Sequence, residues 1–309
     1  MSATVARSEY ELLTREVGLV DRSERGKLLL TGEEAADFLQ GQVTNDVESL
    51  DPGTGCYAAL LTHKGKMRCD MRVLRGPDWL LLDTEPHGLA PLLKTVQMYG
   101  IGRDVRGQDV TRERALVSLI GPAARDRLER PPPEVEHSFV EAGDRLYVST
   151  DLGVDVFAPM GALDGLHREL DAEPASKEAA ECVRVESGRP RHGLDLDEDT
   201  IPQEAGLNER AVSFEKGCYV GQETVARLHW RGKPNRHLRG LRLSAPATTG
   251  EPVVAGERTV GRIGSACSSP ALGPIALAIL RREVGPGEEV SVGDPPAPAR
   301  VVDLPFAAD

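Results

Sequence analysis

The run Lys216-Gly-Cys-Tyr-Val-Gly-Gln-Glu-Thr-Val-Ala-Arg227 holds the densest chemical signal in the chain. Cys218 lies between Gly217 and Gly221, with Lys216 two residues before it. Upstream, Val212 and Phe214 alternate with Ser213 and Glu215, which is the period of a strand. Downstream, residues 221–231 contain no internal breaker and stop at Gly232 and Pro234, which predicts a short helix. Cys218 is therefore expected in a strand-to-helix turn, where unpaired N–H groups favour a thiolate. An exposed thiol there would be nucleophilic, oxidisable or able to bind metal. The plainer reading is a small buried hydrophobe, the usual state of a free cysteine; the flanking glycines and lysine weigh against it.

A carboxylate is the second candidate. Residues 67–73 alternate, with Met67, Cys69, Met71 and Val73 on one face and Arg68, Asp70 and Arg72 on the other. Asp70 thus stands between two arginines, either as part of a solvated charge ladder or as a placed acid.

These residues need a scaffold, and the chain is long enough for about two domains. It has 309 residues, and its net charge of −12 argues against non-specific nucleic-acid binding. No run approaches the ~20 apolar residues of a membrane span. The N-terminal residues lack a signal-peptide core, so a cytoplasmic protein is expected. Cys56, Cys69, Cys182, Cys218 and Cys267 include no C-x-x-C pair, which predicts neither a disulfide framework nor a resident metal site. The seven histidines show no metal-ligand spacing either.

Residues 28–40 and 117–129 align without gaps, sharing Leu30/Leu119, Gly32/Gly121, Ala35/Ala124, Asp37/Asp126 and Leu39/Leu128. Strands and a helix recur in the same order after each copy. Two similar strand–helix–strand–strand units are expected, packed as a pseudo-symmetric pair. Thr31 and Glu34 have the form of a capping box for the first helix. Residues 176–187 read as a helix. The acidic stretch 193–210 is long for a structureless loop and is expected to cover something. From residue 238 on, short apolar runs alternate with Gly and Pro, which predicts a small all-β barrel or sandwich. Between Glu223 and Glu251 the only charges are cationic, which points to an anionic ligand or partner.

The signature run closely resembles that of the YgfZ-type folate-binding proteins of iron–sulfur cluster assembly and repair, relatives of the glycine-cleavage T-protein, an aminomethyltransferase. Leu30-Thr-Gly with Phe38-Leu-Gln-Gly-Gln-Val-Thr-Asn-Asp46, Lys64-Gly-Lys66 with Asp70, Arg184-Val-Glu-Ser-Gly-Arg-Pro190 and Ile201-Pro-Gln-Glu-Ala-Gly-Leu207 resemble the family's other blocks, in order. The resemblance implies an α+β fold of two ferredoxin-like units around a central folate pocket, plus a C-terminal β-barrel. The expected domains are residues 1–235, in halves of about 20–110 and 111–235, and 236–309. It implies tetrahydrofolate as cofactor. Glu186 stands where relatives carry a pterin-binding glutamate, Arg227 suits the glutamyl carboxylate of folate, and Tyr57 could pack on an aromatic ring of the ligand. Lys216 and Gln222 complete the implied binding set. Asp70 resembles the T-protein aspartate near the reacting atoms, and Cys218 is the thiol of the cluster-assembly branch. Cys69 stands where the T-protein usually has a second acid.

Three functions follow as expectations. The first is a folate-binding accessory factor for iron–sulfur cluster assembly or repair, which serves assembly or client proteins and indirectly supports tRNA modification. The second is a folate-dependent aminomethyl- or methyl-transferase. The third is a binding protein without catalysis.

Overall fold

A computed structural model describes residues 6–307. Alternation along the strand Met67–Arg75 organises its centre. Cys69, Met71 and Val73 are sealed against the helices Ala35–Gln40 and Leu89–Tyr99. Asp70, Arg72 and Leu74 take the opposite face, as the period of two requires. This strand lies in an antiparallel five-stranded sheet, ordered Thr54–Leu61, Met67–Arg75, Trp79–Thr84, Gly26–Thr31, Arg106–Asp109. A second sheet runs Glu173–Pro174, Gly18–Asp21, Arg114–Ile120, Gly153–Pro159, Arg145–Thr150, Phe139–Ala142.

The inner faces of the two sheets meet. Leu74, Leu81, Leu116, Phe139 and Phe157 fill one end of the space between them. Two residues along the same strands the side chains become Arg72, Asp83, Ser118 and Asp155. The Arg72 guanidinium holds Asp83 of its own sheet and Asp155 of the other, each at 2.8 Å. Arg25 holds the second oxygen of Asp83 at 2.7 Å, and Ser118 Oγ donates to Asp155. Burial opposes ionisation of Asp83, yet Arg25 and Arg72 hold its carboxyl below the ordinary range.

The internal repeat is structural. Gly32 and Gly121 occupy matching places after their strands, with φ of +113° and +129°. A Cβ at either would meet a backbone carbonyl oxygen, that of Asp104 at 2.2 Å or of Glu16 at 2.4 Å, so only glycine fits. The halves differ in three ways from expectation. Gly18–Asp21 pairs with Arg114–Ile120 and so joins the second sheet. In the second unit the expected helix shrinks to one 3-10 turn, Arg125–Arg127; Pro131 to Pro133 follow at once, and they cannot sustain helical hydrogen bonding. The capping box does not form, because Glu34 instead accepts from the Asp104 N–H at 2.7 Å and from Arg103.

The helix Lys177–Glu186 starts at Ser176, whose Oγ caps the Ala179 N–H. It packs between the second sheet, the helix Arg7–Arg15 and the barrel. The barrel is closed, ordered Arg236–Leu243, Gly273–Arg281, Arg258–Ser269, Pro252–Ala255, Glu289–Val292, Ala297–Val302. Leu241, Val253, Ile263, Leu280 and Val301 are among the side chains that fill it. The acidic stretch is fastened down between these parts. Buried Asp195 accepts from Arg184 at 3.1 Å and from the Ser265 N–H at 2.6 Å, and Glu204 pairs with Arg236 at 2.7 Å.

Arg72→Met should lower stability by about 3 kcal/mol, because it leaves Asp83 and Asp155 buried with less compensation; an unchanged urea midpoint would refute that importance. The depressed pKa of Asp83 sets a sign as well. Its contribution is present above the pKa of the unfolded chain and is lost as pH falls through the folded value. Asp83→Asn should therefore flatten the acid limb of the stability–pH curve.

Candidate functional site

Between the sheets, past the Arg72 network, lie two adjoining cavities of about 220 and 180 Å³. Both are lined by Arg22, Arg25, Tyr57, Asp151, Leu152 and Arg210, so they make a two-part hollow with Tyr57 in the shared wall. Tyr57 sits on Thr54–Leu61 and donates its hydroxyl to Asp70 Oδ2 on the neighbouring strand. Burial and the Asp70 charge push the phenol well above its ordinary pKa, so it remains the donor. Asp70 is buried and lines the larger cavity, and its Oδ1 accepts no hydrogen bond among the described residues. Its backbone oxygen accepts from Thr84 Oγ1 at 2.6 Å, which fixes the strand at that point.

The polar turn after the helix Ala35–Gln40 aims these groups. Asn45 Nδ2 donates to the backbone oxygens of Tyr57 at 2.8 Å and Arg210 at 3.2 Å. Arg210 is thereby set with its guanidinium 5.2 Å from the centre of the Tyr57 ring, a cation–π contact. Glu136 holds the same guanidinium at 2.6 Å.

Three buried nitrogens around this hollow, Arg72 Nε, Arg210 Nε and His137 Nδ1, have no protein partner among the described residues. Burial, with Arg72 and Arg210 nearby, lowers the His137 pKa to about 3, so that ring is neutral. His137 also holds a left-handed backbone at φ 70°, which costs energy for a residue other than glycine. Unpaired polar groups and a strained residue beside one cavity are the pattern of a site built for a ligand.

Of the residues singled out in the sequence, Tyr57 and Asp70 meet in this hollow and the others do not line it. Asp70 is no solvated ladder residue, because its face of the strand is covered by the second sheet. Glu186 turns to the seam with the barrel, where it accepts from Tyr10 at 2.9 Å and from Ser269. Glu181 lines the cavity instead, between Arg184 and Arg191. The signal was present: Lys177, Glu181 and Arg184 are spaced for one helix face, whereas Glu186 falls on another.

The signature run lies elsewhere. No strand forms over residues 212–215; an irregular loop leads to the helix Gln222–Arg231. Lys216 is buried, and its ammonium donates to the carbonyl oxygens of Gln40 at 2.6 Å, Val43 at 2.8 Å and Asn45 at 2.9 Å. With its three hydrogens spent, it is a staple rather than a ligand-binding cation. Burial pulls its pKa down to about 8. Gln222 opens the helix after Gly221, which holds φ +87° and where a Cβ would come within 2.5 Å of the Thr62 oxygen. Arg227 is exposed on that helix, and Cys218 is exposed on the loop before it. His192, Arg210 and Glu181 are site residues that the sequence reading missed. They sit in loops or on an unremarked helix face, and only the packing of the two units brings them together.

Residues 2–141 match the family model of the GCVT N-terminal domain, and residues 236–307 match that of the glycine cleavage T-protein C-terminal barrel domain. The chain is 31% identical to an aminomethyltransferase of Rubrobacter xylanophilus, over 97% of this chain and 86% of that protein. It is 30% identical to an aminomethyltransferase of Thermotoga maritima, over 96% of this chain and 88% of the relative. The fold matches the crystal structure of glycine cleavage system aminomethyltransferase T from Bartonella henselae with a TM-score of 0.89 at 22% identity, covering 99% of this chain and 92% of that one.

Lys216→Met would leave three backbone carbonyls without their donor. A loss of about 2 kcal/mol is expected, together with faster amide exchange over residues 212–221. Exchange as slow as in the wild type would refute the staple.

Proposed function

Because the chain belongs to the aminomethyltransferase family of the glycine-cleavage T-protein, we propose that it transfers a one-carbon unit to or from tetrahydrofolate in the hollow between its sheets. Tetrahydrofolate is the one-carbon acceptor that this family uses. The observation that carries the reading is Asp70, held by Tyr57 with a second oxygen free of protein partners among the described residues, in the wall of a cavity. The residues present fit such a ligand. Arg72, Arg210 and His137 among the lining residues suit a heterocycle rich in oxygen and nitrogen atoms. Glu181 offers a carboxylate to an amino group, and Arg22, which makes no ion pair among the described residues, suits a carboxylate.

When bound, tetrahydrofolate supplies the ring nitrogen to which the carbon is attached. The protein's part is positioning and charge. Tyr57 fixes one oxygen of Asp70, so the other faces a donor amine in a single orientation. That carboxylate can take a hydrogen bond from the amine and stabilise positive charge as it develops on the transferred carbon. A bound ligand would displace water from around Asp70, which strengthens both effects.

A second reading has its own observation. Cys218 is exposed on a loop that Lys216 anchors, a thiol presented to solvent outside the folate hollow. It supports the accessory role in iron–sulfur cluster assembly or repair, with cluster-assembly or client proteins as partners.

The two readings separate by mutation. Incubated with tetrahydrofolate and an aminomethyl donor, Asp70→Asn should form methylene-tetrahydrofolate at least about 100-fold more slowly than wild type, while calorimetry shows folate still bound. Full activity in Asp70→Asn would sink the transferase reading. Cys218→Ala should keep that turnover; if it instead lowers the activity of iron–sulfur enzymes in cells, the second role is supported.

A further inference from the structure

Glu186 and the two thiols beside it take no part in the hollow. Cys182 sits in the helix Lys177–Glu186 and Cys267 in the barrel strand Arg258–Ser269, 85 positions apart in the chain. Their sulfurs lie 3.3 Å apart across the seam between these elements. The Cys267 thiol donates to the Cys182 sulfur, and the Cys182 thiol donates to Glu186 Oε1 at 3.8 Å. Tyr10 and Ser269 hold that carboxylate in turn. The Cys182 hydrogen thus points away from Cys267, and a sulfur lone pair points toward it. The sulfurs need to close by only a little over ~1 Å to reach the ~2.05 Å of a disulfide. Cys182 is sealed, whereas Cys267 keeps 7% of its surface between the half-buried Ala266 and Ser268. Cys56 and Cys69 pack in a separate core against the first sheet, away from this pair.

We propose that Cys182 and Cys267 are a redox-active dithiol, which a hydroperoxide closes into a disulfide that ties the helix to the barrel. Neither functional reading uses these two residues, so the proposal stands apart from both. Cys267 meets the oxidant first, as the thiol with surface left. Its sulfur attacks the peroxide, the O–O bond breaks, water leaves, and Cys267 becomes a sulfenic acid. Cys182 keeps its proton up to this point, because the Cys267 hydrogen bond, burial and the Glu186 charge all push its pKa up. The Cys182 sulfur then attacks the Cys267 sulfur; the S–O bond breaks and the S–S bond forms. Hydroxide departs with the Cys182 proton as a second water. The dithiol gives up two electrons and two hydrogens, and the peroxide takes them. The same helix carries Glu181 and Arg184 into the hollow, so the new bond fixes against the barrel an element that serves the site.

The test uses folded protein carrying Cys218→Ala, so that the exposed thiol takes no part. Treated with hydrogen peroxide and then alkylated in urea, it should lose the mass of two hydrogens. Digestion should give one cross-linked peptide pair, holding Cys182 and Cys267, with Cys56 and Cys69 alkylated. Dithiothreitol should restore all four remaining thiols. Closing so long a loop should raise the thermal midpoint by about 5 °C. With Cys182→Ser added, the same treatment should stop at a sulfenic acid on Cys267, which dimedone traps. Should that variant fail to fold, Cys267→Ala serves in its place and should show no loss of two hydrogens. Four free thiols after peroxide would overturn the proposal. So would linkage of any other pair, or linkage that forms only when peroxide is added to unfolded protein. None of these readouts depends on carbon transfer or on cluster-dependent enzymes, so the failure of either functional reading leaves the result unaltered.

Discussion

One guanidinium sets the geometry of this molecule. Arg72 sits between two sheets and binds a carboxylate from each, Asp83 and Asp155. Burying such a charge is costly, and well-packed apolar side chains of similar volume often give equal or greater stability. What the ion network supplies is a boundary. On one side the facing strands present Leu74, Leu116 and Phe157 and close into a dry core. On the other they present polar groups that cannot close without leaving charges unpaired, and a hollow remains. The site exists because the inner faces change from apolar to charged within two residues of each strand.

The signature run takes on a different meaning in space. Its lysine reads as an activating cation beside a cysteine, but its hydrogens go to the carbonyls of the turn at residues 40–45. The same turn holds the strand of Tyr57 and the backbone of Arg210 through Asn45. Nearby, Gly65 and Gly221 let the hairpin and the helix start touch; a Cβ on Gly65 would meet Thr224 at 2.8 Å. Short blocks far apart in the chain thus form one joint that aims the cavity's side chains. Much of the motif's specificity is architectural, and Cys218 is its chemically free member.

The helix Lys177–Glu186 serves two surfaces. Glu181 and Arg184 line the cavity, while Cys182 and Glu186 face the barrel, where Cys182 Sγ lies 3.3 Å from Cys267 Sγ. Both thiols are buried and reduced, part of the seam rather than of the hollow. The barrel therefore bears on the site through this helix and through the acidic stretch that carries Asp195, next to His192.

Local pattern determined a good deal. Period-two alternation at residues 67–73 assigned the faces of the central strand, the repeat at Gly32 and Gly121 revealed two units, and the change of texture from residue 238 on revealed the barrel. These are properties of neighbours along the chain, and backbone sterics and hydrophobic burial act on them directly. Tertiary structure alone decided which polar groups meet. Helical spacing places positions 181 and 186 on different faces but does not say which face meets the cavity; the helix's rotation against the second sheet sends Glu181 into it and Glu186 to Tyr10. A lysine before a cysteine looks catalytic until three distant carbonyls claim its hydrogens. His87 and His192 have no spacing that announces them, because 104 intervening residues separate partners that lie 2.7 Å apart. Hydrogen bonds and ion pairs act over a few ångströms in space, and only the packing of the two sheets brings such residues within that range.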